Sequence, residues 1–99
     1  MYLVREIMHC KPGKVRPMVE KFKAMKKIGT DANMAKMRIT TDVCAERYWT
    51  IVAEMEVEDL ESFLSMDMSP DEAKQMEAIM EGYHDLVEDG RREIFKIEG

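Results

Sequence analysis

The order of strand-like and helix-like patterns constrains this chain more than any other feature. The alternation of a first run stops at Pro12-Gly13, and apolar residues then recur every three or four positions. The predicted elements are a strand over 2–9, a helix from residue 15 or 16 to Gly29, strands over 34–41 and 46–57, helical segments to about residue 87, and a strand over 91–97. The sequence therefore predicts β-α-β-β-α-β.

Local signals set the ends of the helices. Pro17 fits the first helix only within its first turn, where a missing N–H costs nothing. Asp59 can cap a short helix, and Ser69, Pro70 and Glu72 form the pattern of an N-cap, a first helical proline and a capping box. We expect Gly29 to end the first helix and Gly90 to end the loop before the last strand.

Chain connectivity then predicts the sheet. Right-handed crossovers in two split β-α-β units give an antiparallel sheet of order 4-1-3-2, with both long helices on one face. This is the α+β, ferredoxin-like arrangement. Two helices cannot cover both faces, and the other face still carries valine and aromatic residues. We therefore expect that face to meet a second copy, sheet against sheet.

Composition limits the class of protein. A chain of 99 residues makes one domain, 1–99, whose thin core favours self-association. The net charge of −5 argues against nucleic acid or a membrane as the main partner, and no apolar run approaches the roughly 20 residues of a membrane span. Arg5 and Glu6 interrupt the early apolar stretch, so we expect no signal peptide and a cytoplasmic location.

The charges are unevenly placed along the chain. Residues 1–49 hold 11 Lys and Arg against 5 Asp and Glu, whereas residues 50–99 hold 4 against 15. A basic first helix lying beside an acidic last helix would account for this pattern. The alternative is an acidic docking surface for another protein.

Three runs resemble a known group of proteins. They are VREIMHCKPGKVRPMVEKFKAM, RYWTIVAEMEVEDLESF and GRREIFKIE. Together they look like the dimeric α+β barrel superfamily, especially its NIPSNAP-like and antibiotic-biosynthesis-monooxygenase-like groups. The resemblance implies a homodimer whose sheets form a barrel, with a cleft between sheet and helices in each subunit.

The resemblance does not extend to haem degradation. Haem-degrading members of the superfamily use an asparagine on the first strand, a tryptophan and a helical histidine. The nearest positions here are Glu6, Trp49 and His84, and the pattern departs at each of them. No cofactor is therefore predicted.

Six residues are candidates for a site. His9 could act as a general base, Tyr48 could orient a phenolic or enolic substrate, and Glu6 could have a raised pKa if it is desolvated. Each could instead be structural, Glu6 for example by pairing with Arg38, Lys36 or Arg5. The ligand-binding candidates are His84, Arg38 and Trp49.

Topology places several polar residues at one rim of the sheet. The members of this predicted rim are His9, Cys10, Cys44, Arg47, Tyr48, His84, Arg91 and Arg92. The spacing of histidine and cysteine matches no common metal motif, so no metal is predicted, and we expect two free thiols. The helix start at 13–16 could bind an anion, although no fuller glycine-rich loop accompanies it.

Three functions remain open at this point. The first is a homodimeric domain that binds a small molecule in the cleft between sheet and helices, without strong catalytic machinery. The second is a cofactor-independent enzyme, monooxygenase- or isomerase-like, that uses His9, Tyr48 or Glu6. The third is a structural or regulatory dimer whose acidic second half docks onto another protein.

Overall fold

The computed structural model describes residues 1–31, 36–65 and 69–99 and confirms the predicted order of elements. These are β1 (Tyr2–Cys10), α1 (Val15–Asp31), β2 (Met37–Thr41), β3 (Thr50–Val57), α2 (Leu60–Leu64), α3 (Pro70–Met80), a 3₁₀ helix (Tyr83–Asp85) and β4 (Val87–Lys96). The four strands form one antiparallel sheet in the order β2-β3-β1-β4. The predicted ferredoxin-like arrangement is therefore present.

The main core lies between α1 and one face of the sheet. Its buried members are Cys10, Met18, Val19, Phe22, Ile51 and Ala53, and Met80 of α3 packs against them. The amine of Lys21 donates to the carbonyl oxygens of Ile79 and Glu81, each at 2.8 Å. Because the last carbonyls of a helix have no partner within it, this lysine joins α1 to the end of α3.

The predicted helix starts are confirmed. Pro17 is the third residue of α1, inside its first turn. Ser69 Oγ accepts from the N–H of Glu72 at 3.2 Å, as the N-cap requires, and its hydroxyl donates to the Glu72 carboxylate at 2.9 Å, so the pair is linked through the hydroxyl and not through the backbone N–H of a capping box. The carboxylate of Asp59 accepts from the N–H of Glu61 at 3.0 Å at the start of α2. Within the described ranges, no helix is long and apolar enough to cross a membrane.

Several predicted boundaries were wrong. Helix α1 continues past Gly29 to Asp31, and β3 begins at Thr50, four residues later than predicted. The last long helix ends at Met80, where Gly82 at φ +80° turns the chain into the 3₁₀ helix. The predicted first residues of the second strand, 34 and 35, lie outside the described residues.

The last strand begins at Val87, so Gly90 lies inside β4 and does not end a loop. A Cβ placed on Gly90 would lie 3.1 Å from the carbonyl oxygen of Ile7 and 3.3 Å from Cγ of Met8. The glycine therefore permits a close approach of β4 to β1. Close approach of a neighbouring backbone is a common reason for glycine within a strand.

The other face of the sheet carries a row of four charges, one from each strand. In strand order, this charge row is Arg38, Glu54, Arg5 and Glu93. The two arginines contact Glu54 at 2.7 and 3.1 Å, and Arg5 reaches Glu93 at 3.4 Å. Apolar side chains flank the row on the same face, among them Leu3, Ile7, Val52 and Phe95. We call this surface the open face.

Glu54 is the centre of the charge row. The hydrogen bond from Arg38 and the charges of Arg38 and Arg5 hold the pKa of the Glu54 carboxyl below its ordinary value of 4.5. A lowered folded-state pKa stabilises the fold above the unfolded-state pKa, and this stabilisation is lost as the pH falls through the folded-state value. Acid should therefore weaken the link between the strands.

We expect Glu54→Gln to lower the free energy of unfolding by about 1 kcal/mol at pH 7, because Arg38 loses its ion pair and Arg5 keeps only Glu93. The difference from the wild type should shrink as the pH falls below about 4.5 and vanish once Glu54 is protonated in the folded state. Urea unfolding at a fixed protein concentration measures the loss of stability at pH 7 and its dependence on pH. Glu58→Gln is the control, since Glu58 is exposed directly after β3 and has no ion pair among the described residues. A loss that stays constant over the whole acid titration would contradict the prediction.

Candidate functional site

The loop between β2 and β3, residues 42–49, is closed at its base. Asp42 Oδ1 accepts from the N–H of Thr50 at 2.9 Å, and the Asp42 N–H donates to the Thr50 carbonyl at 3.2 Å. Farther along, the guanidinium of Arg47 contacts Asp89 at 3.1 Å and Glu88 at 3.3 Å. These contacts tie the loop to its own strand and to the start of β4. They also explain why β3 begins at Thr50.

Trp49 is the last residue of this loop and has an unusual backbone. Its carbonyl accepts from the N–H of Cys10 at 2.8 Å, and its φ is +61°, in the left-handed region. A non-glycine residue there costs of order 1 kcal/mol, which the surrounding hydrogen bonds offset. The side chain is nevertheless 43% exposed. The strained backbone thus holds a large aromatic ring at the surface.

The ring of Trp49 borders a cleft of about 390 Å³. This cleft lies between the first turn of α1, the end of β2 and the loop 42–49, at the end of the layer between sheet and helices. Its lining residues are Gly13, Val15, Arg16, Thr41, Asp42, Tyr48 and Trp49. We call it the Trp49 cleft.

Three side-chain donors of the Trp49 cleft have no partner within the described ranges. They are the guanidinium of Arg16, the hydroxyl of Tyr48 and the indole N–H of Trp49. The one carboxylate of the lining, Asp42, already accepts a backbone hydrogen bond through Oδ1. The cleft therefore offers aromatic surface and hydrogen-bond donors to a bound molecule.

Cys10 is buried close to this end of the sheet. Burial, with a smaller contribution from the charge of Asp42, raises the pKa of its thiol above the ordinary value of 9.0. The thiol is therefore protonated at neutral pH and is a poor nucleophile or metal ligand. Cys10 and Cys44 are both free thiols, as predicted. No group of three or more potential metal ligands occurs in the described part of the chain.

His9 lies on the open face, away from the helices, and is buried. Its Nδ1 lies 3.2 Å from Thr50 Oγ1, which itself donates to the carbonyl of Arg47 at 2.8 Å. Its Nε2 lies 3.1 Å from Nη1 of Arg91. Since Arg91 can only donate, Nε2 accepts and Nδ1 carries the proton. Both ring nitrogens are thus engaged within the protein.

Glu6 lies on the helix-facing side of β1, opposite Arg92 of β4, with which it forms an ion pair. The suggested pairings with Arg38, Lys36 or Arg5 were therefore wrong, because side chains of that face cannot reach Arg5 or Arg38 across the sheet. Arg92 in turn lies over the ring of Phe63, 5.5 Å from its centroid. The carboxylate of Glu6 is engaged in a structural contact.

The three ligand-binding candidates border three different depressions. Trp49 lines the cleft described above, and Arg38 lines a second one of about 390 Å³ near Leu3 and Glu54. His84 lies in the 3₁₀ helix, and the centroid of its ring is 4.0 Å from that of Tyr83. Both residues border a shallow depression of about 570 Å³. His9, Tyr48 and Glu6 are likewise separate, so the six candidates do not form one site.

The predicted rim is present in part. Arg91 contacts His9, and the Cys10 N–H meets the carbonyl of Trp49 beside Tyr48. Arg92 does not belong to it, because it faces Glu6 at the middle of β1. Arg16 and Asp42 are not individual candidates by sequence, although the helix start at 13–16 predicts a possible anion site.

No protein-family model matches the sequence, and no curated protein is significantly similar to it. Solved structures do match over nearly the whole chain. An uncharacterized NIPSNAP-like domain protein from Burkholderia xenovorans has a TM-score of 0.72 at 13% identity, covering 97% of this chain and 84% of its own. A putative antibiotic biosynthesis monooxygenase from Nitrosomonas europaea has a TM-score of 0.72 at 11% identity, with 100% of both chains covered.

A NIPSNAP family protein from Agrobacterium tumefaciens has a TM-score of 0.69 at 12% identity, covering 97% of this chain and 92% of its own. The resemblance inferred from the sequence is thus confirmed at the level of the fold. At these identities the similarity establishes the shared architecture alone.

Proposed function

We propose that this protein is a homodimeric domain that binds a small molecule in the Trp49 cleft. The observation that carries the proposal is a set of three donors, from Arg16, Tyr48 and Trp49, which have no partner among the described residues and surround one concave site. The site has the volume of a small-ligand pocket and lies at the end of the sheet-helix layer, where the sequence resemblance implies a cleft.

The open face supports the dimer. Leu3 and Phe95 are neighbours across β1 and β4, and Phe95 is 49% exposed. Leu3 is half-buried, whereas Ile7 and Val52 are already buried in the single chain, so the apolar surface beside the charge row consists mainly of Phe95 and Leu3. A second copy would cover this surface and remove the row from water, as the resemblance to dimeric α+β barrels implies.

The alternative, a cofactor-independent oxygenase or isomerase, needs a base beside the bound substrate. Tyr48 lines the Trp49 cleft, whereas His9 lies on the opposite face with both nitrogens engaged, and Glu6 is paired with Arg92. This separation favours a binding domain over an enzyme.

The first test is a fragment screen that follows the NMR signal of one group, the indole N–H of Trp49. Trp49 is the single tryptophan of the sequence, so a ¹H–¹⁵N spectrum contains one indole N–H peak, which reports on the cleft. We expect a subset of fragments to shift this peak, and native mass spectrometry of protein taken from cells to show a bound small molecule. A peak that no fragment shifts at millimolar concentration, with only unliganded protein in the mass spectrum, would contradict the proposal.

Trp49→Gly tests the same site by mutation. Glycine adopts φ +61° without strain, so the variant should fold, yet it lacks the aromatic wall and should bind the selected fragments at least about 10-fold more weakly. Calorimetry measures both affinities. Val43→Gly is the control, because Val43 belongs to the same loop, is fully exposed and does not line the cleft. Equal affinities for Trp49→Gly and wild type would place the ligand elsewhere.

A further inference from the structure

We propose that the Trp49 cleft selects planar carboxylates, with an aromatic or conjugated ring on Trp49 and the carboxylate on Arg16. This inference rests on the proposed function and adds the chemical class of the ligand. It combines two properties of the lining, its charge and its aromatic surface, which arise from different elements of the fold.

The lining of the cleft holds one cation and one anion, Arg16 and Asp42, and the cation lies in a basic segment of the chain. The chain carries a net −5, yet the segment that borders the cleft contains Lys11, Lys14 and Arg16, and the first turn of α1 has no acidic residue. Arg16 has no ion-pair partner in the described ranges. A guanidinium presents paired donors that match both oxygens of a carboxylate, so this free cation favours a planar anion.

One acid, Asp42, opposes this charge within the cleft. Its Oδ1 is held by the N–H of Thr50, which fixes the carboxylate on the β2–β3 side of the cleft. Arg16 lies on the α1 side. A ligand carboxylate should therefore bind at Arg16, where the positive end of the α1 dipole adds to the attraction.

The aromatic surface comes from the loop. Trp49 and Tyr48 are 43% and 81% exposed, and neither ring stacks on another ring within the described ranges. A flat ring stacks on such a surface through dispersion and its quadrupole, whereas a saturated ring of similar size makes poorer contact. The cleft volume of about 390 Å³ accommodates a ligand of two fused rings.

The test compares three probes that differ in one property each. These are 2-naphthoate, its neutral amide 2-naphthamide, and the saturated decahydronaphthalene-2-carboxylate. Each is titrated into the ¹⁵N-labelled protein while the Trp49 indole peak is followed, and calorimetry gives the affinity. We expect 2-naphthoate to bind about 10-fold more tightly than either of the other two.

Two variants assign the charge preference to Arg16. Arg16→Gln should weaken 2-naphthoate about 10-fold and change 2-naphthamide by less than 2-fold. Lys27→Gln changes the net charge equally but lies 11 residues along α1, about 16 Å away, and should leave both affinities unchanged. Arg16→Lys should restore part of the affinity, because it keeps the charge and loses the paired donors.

The outcomes separate the two proposals. If carboxylate and amide both shift the indole peak with equal affinity in wild type and in Arg16→Gln, the cleft binds ligands and the preference for anions is wrong. If the saturated acid binds as tightly as 2-naphthoate, the preference for planar ligands is wrong. If none of the three probes nor any screened fragment shifts the peak, the proposed function itself fails.

Discussion

Replacing Phe95 with aspartate is expected to turn the proposed dimer into a folded monomer. Phe95 lies on the open face opposite Leu3 and is 49% exposed, so aspartate there meets water in the single subunit. In a two-fold dimer the same residue is buried twice, and a charge without a partner would be buried at both positions. Loss of an aromatic contact of about 2 kcal/mol at each of the two positions corresponds to a dissociation constant roughly 700-fold higher.

Light scattering after size-exclusion chromatography, run over a range of concentrations, measures this change. Leu64→Asp is the control, since Leu64 is 60% exposed on α2 and does not belong to the sheet. The control should stay dimeric with an unchanged circular dichroism spectrum. A wild type that is monomeric at tens of micromolar, or a Phe95→Asp variant that stays dimeric, would refute sheet-to-sheet pairing.

Phe22→Ala should have the largest effect on stability. Phe22 is 3% exposed in the core between α1 and the sheet, and removing its ring leaves a cavity that the neighbouring strands cannot fill. Such changes cost about 3–5 kcal/mol, which is a large part of the roughly 5–15 kcal/mol that stabilises a typical domain. We expect the midpoint of thermal unfolding to fall by about 15 °C or more.

Urea unfolding at two protein concentrations separates this loss from any change in association. Phe63→Ala removes the same ring from a half-buried position on α2 and should cost less than half as much. Similar losses for the two variants would mean that the core does not lie under α1.

The fold was predictable because its signals are local. Pro12-Gly13 marks the first turn, and Ser69 with Glu72 marks the start of α3 through contacts only three residues apart. Alternating apolar residues then define the strands, and handedness leaves few ways to join them. Each of these signals can be interpreted without knowing what lies elsewhere in the chain.

The errors arise where distant residues decide the structure. The loop 42–49 displaces the start of β3 because Arg47 contacts Asp89 of β4 and Asp42 contacts Thr50. Glycine is typical of turns, yet Gly90 lies within β4, where the close backbone of β1 leaves little room for a side chain. Periodicity carries no information on either kind of contact.

The candidate site was only partly predictable, for the same reason. The chemistry of Trp49 and Tyr48 makes them candidates from the sequence. That they line one cleft together with Arg16 depends on where α1 begins relative to the end of β2. His9 was a reasonable base by residue type, and only the positions of Thr50 and Arg91 show that both nitrogens are engaged.

The charge row has a consequence for the relative orientation of the two subunits in a sheet-to-sheet dimer. Its signs alternate as plus, minus, plus, minus from β2 to β4, so the row read backwards has the opposite sign at every position. A two-fold axis parallel to the strands would place Arg38 over Glu93 and Arg5 over Glu54. An axis along the row would place each charge over its own copy. The pattern thus discriminates between two orientations that the apolar side chains alone would not distinguish.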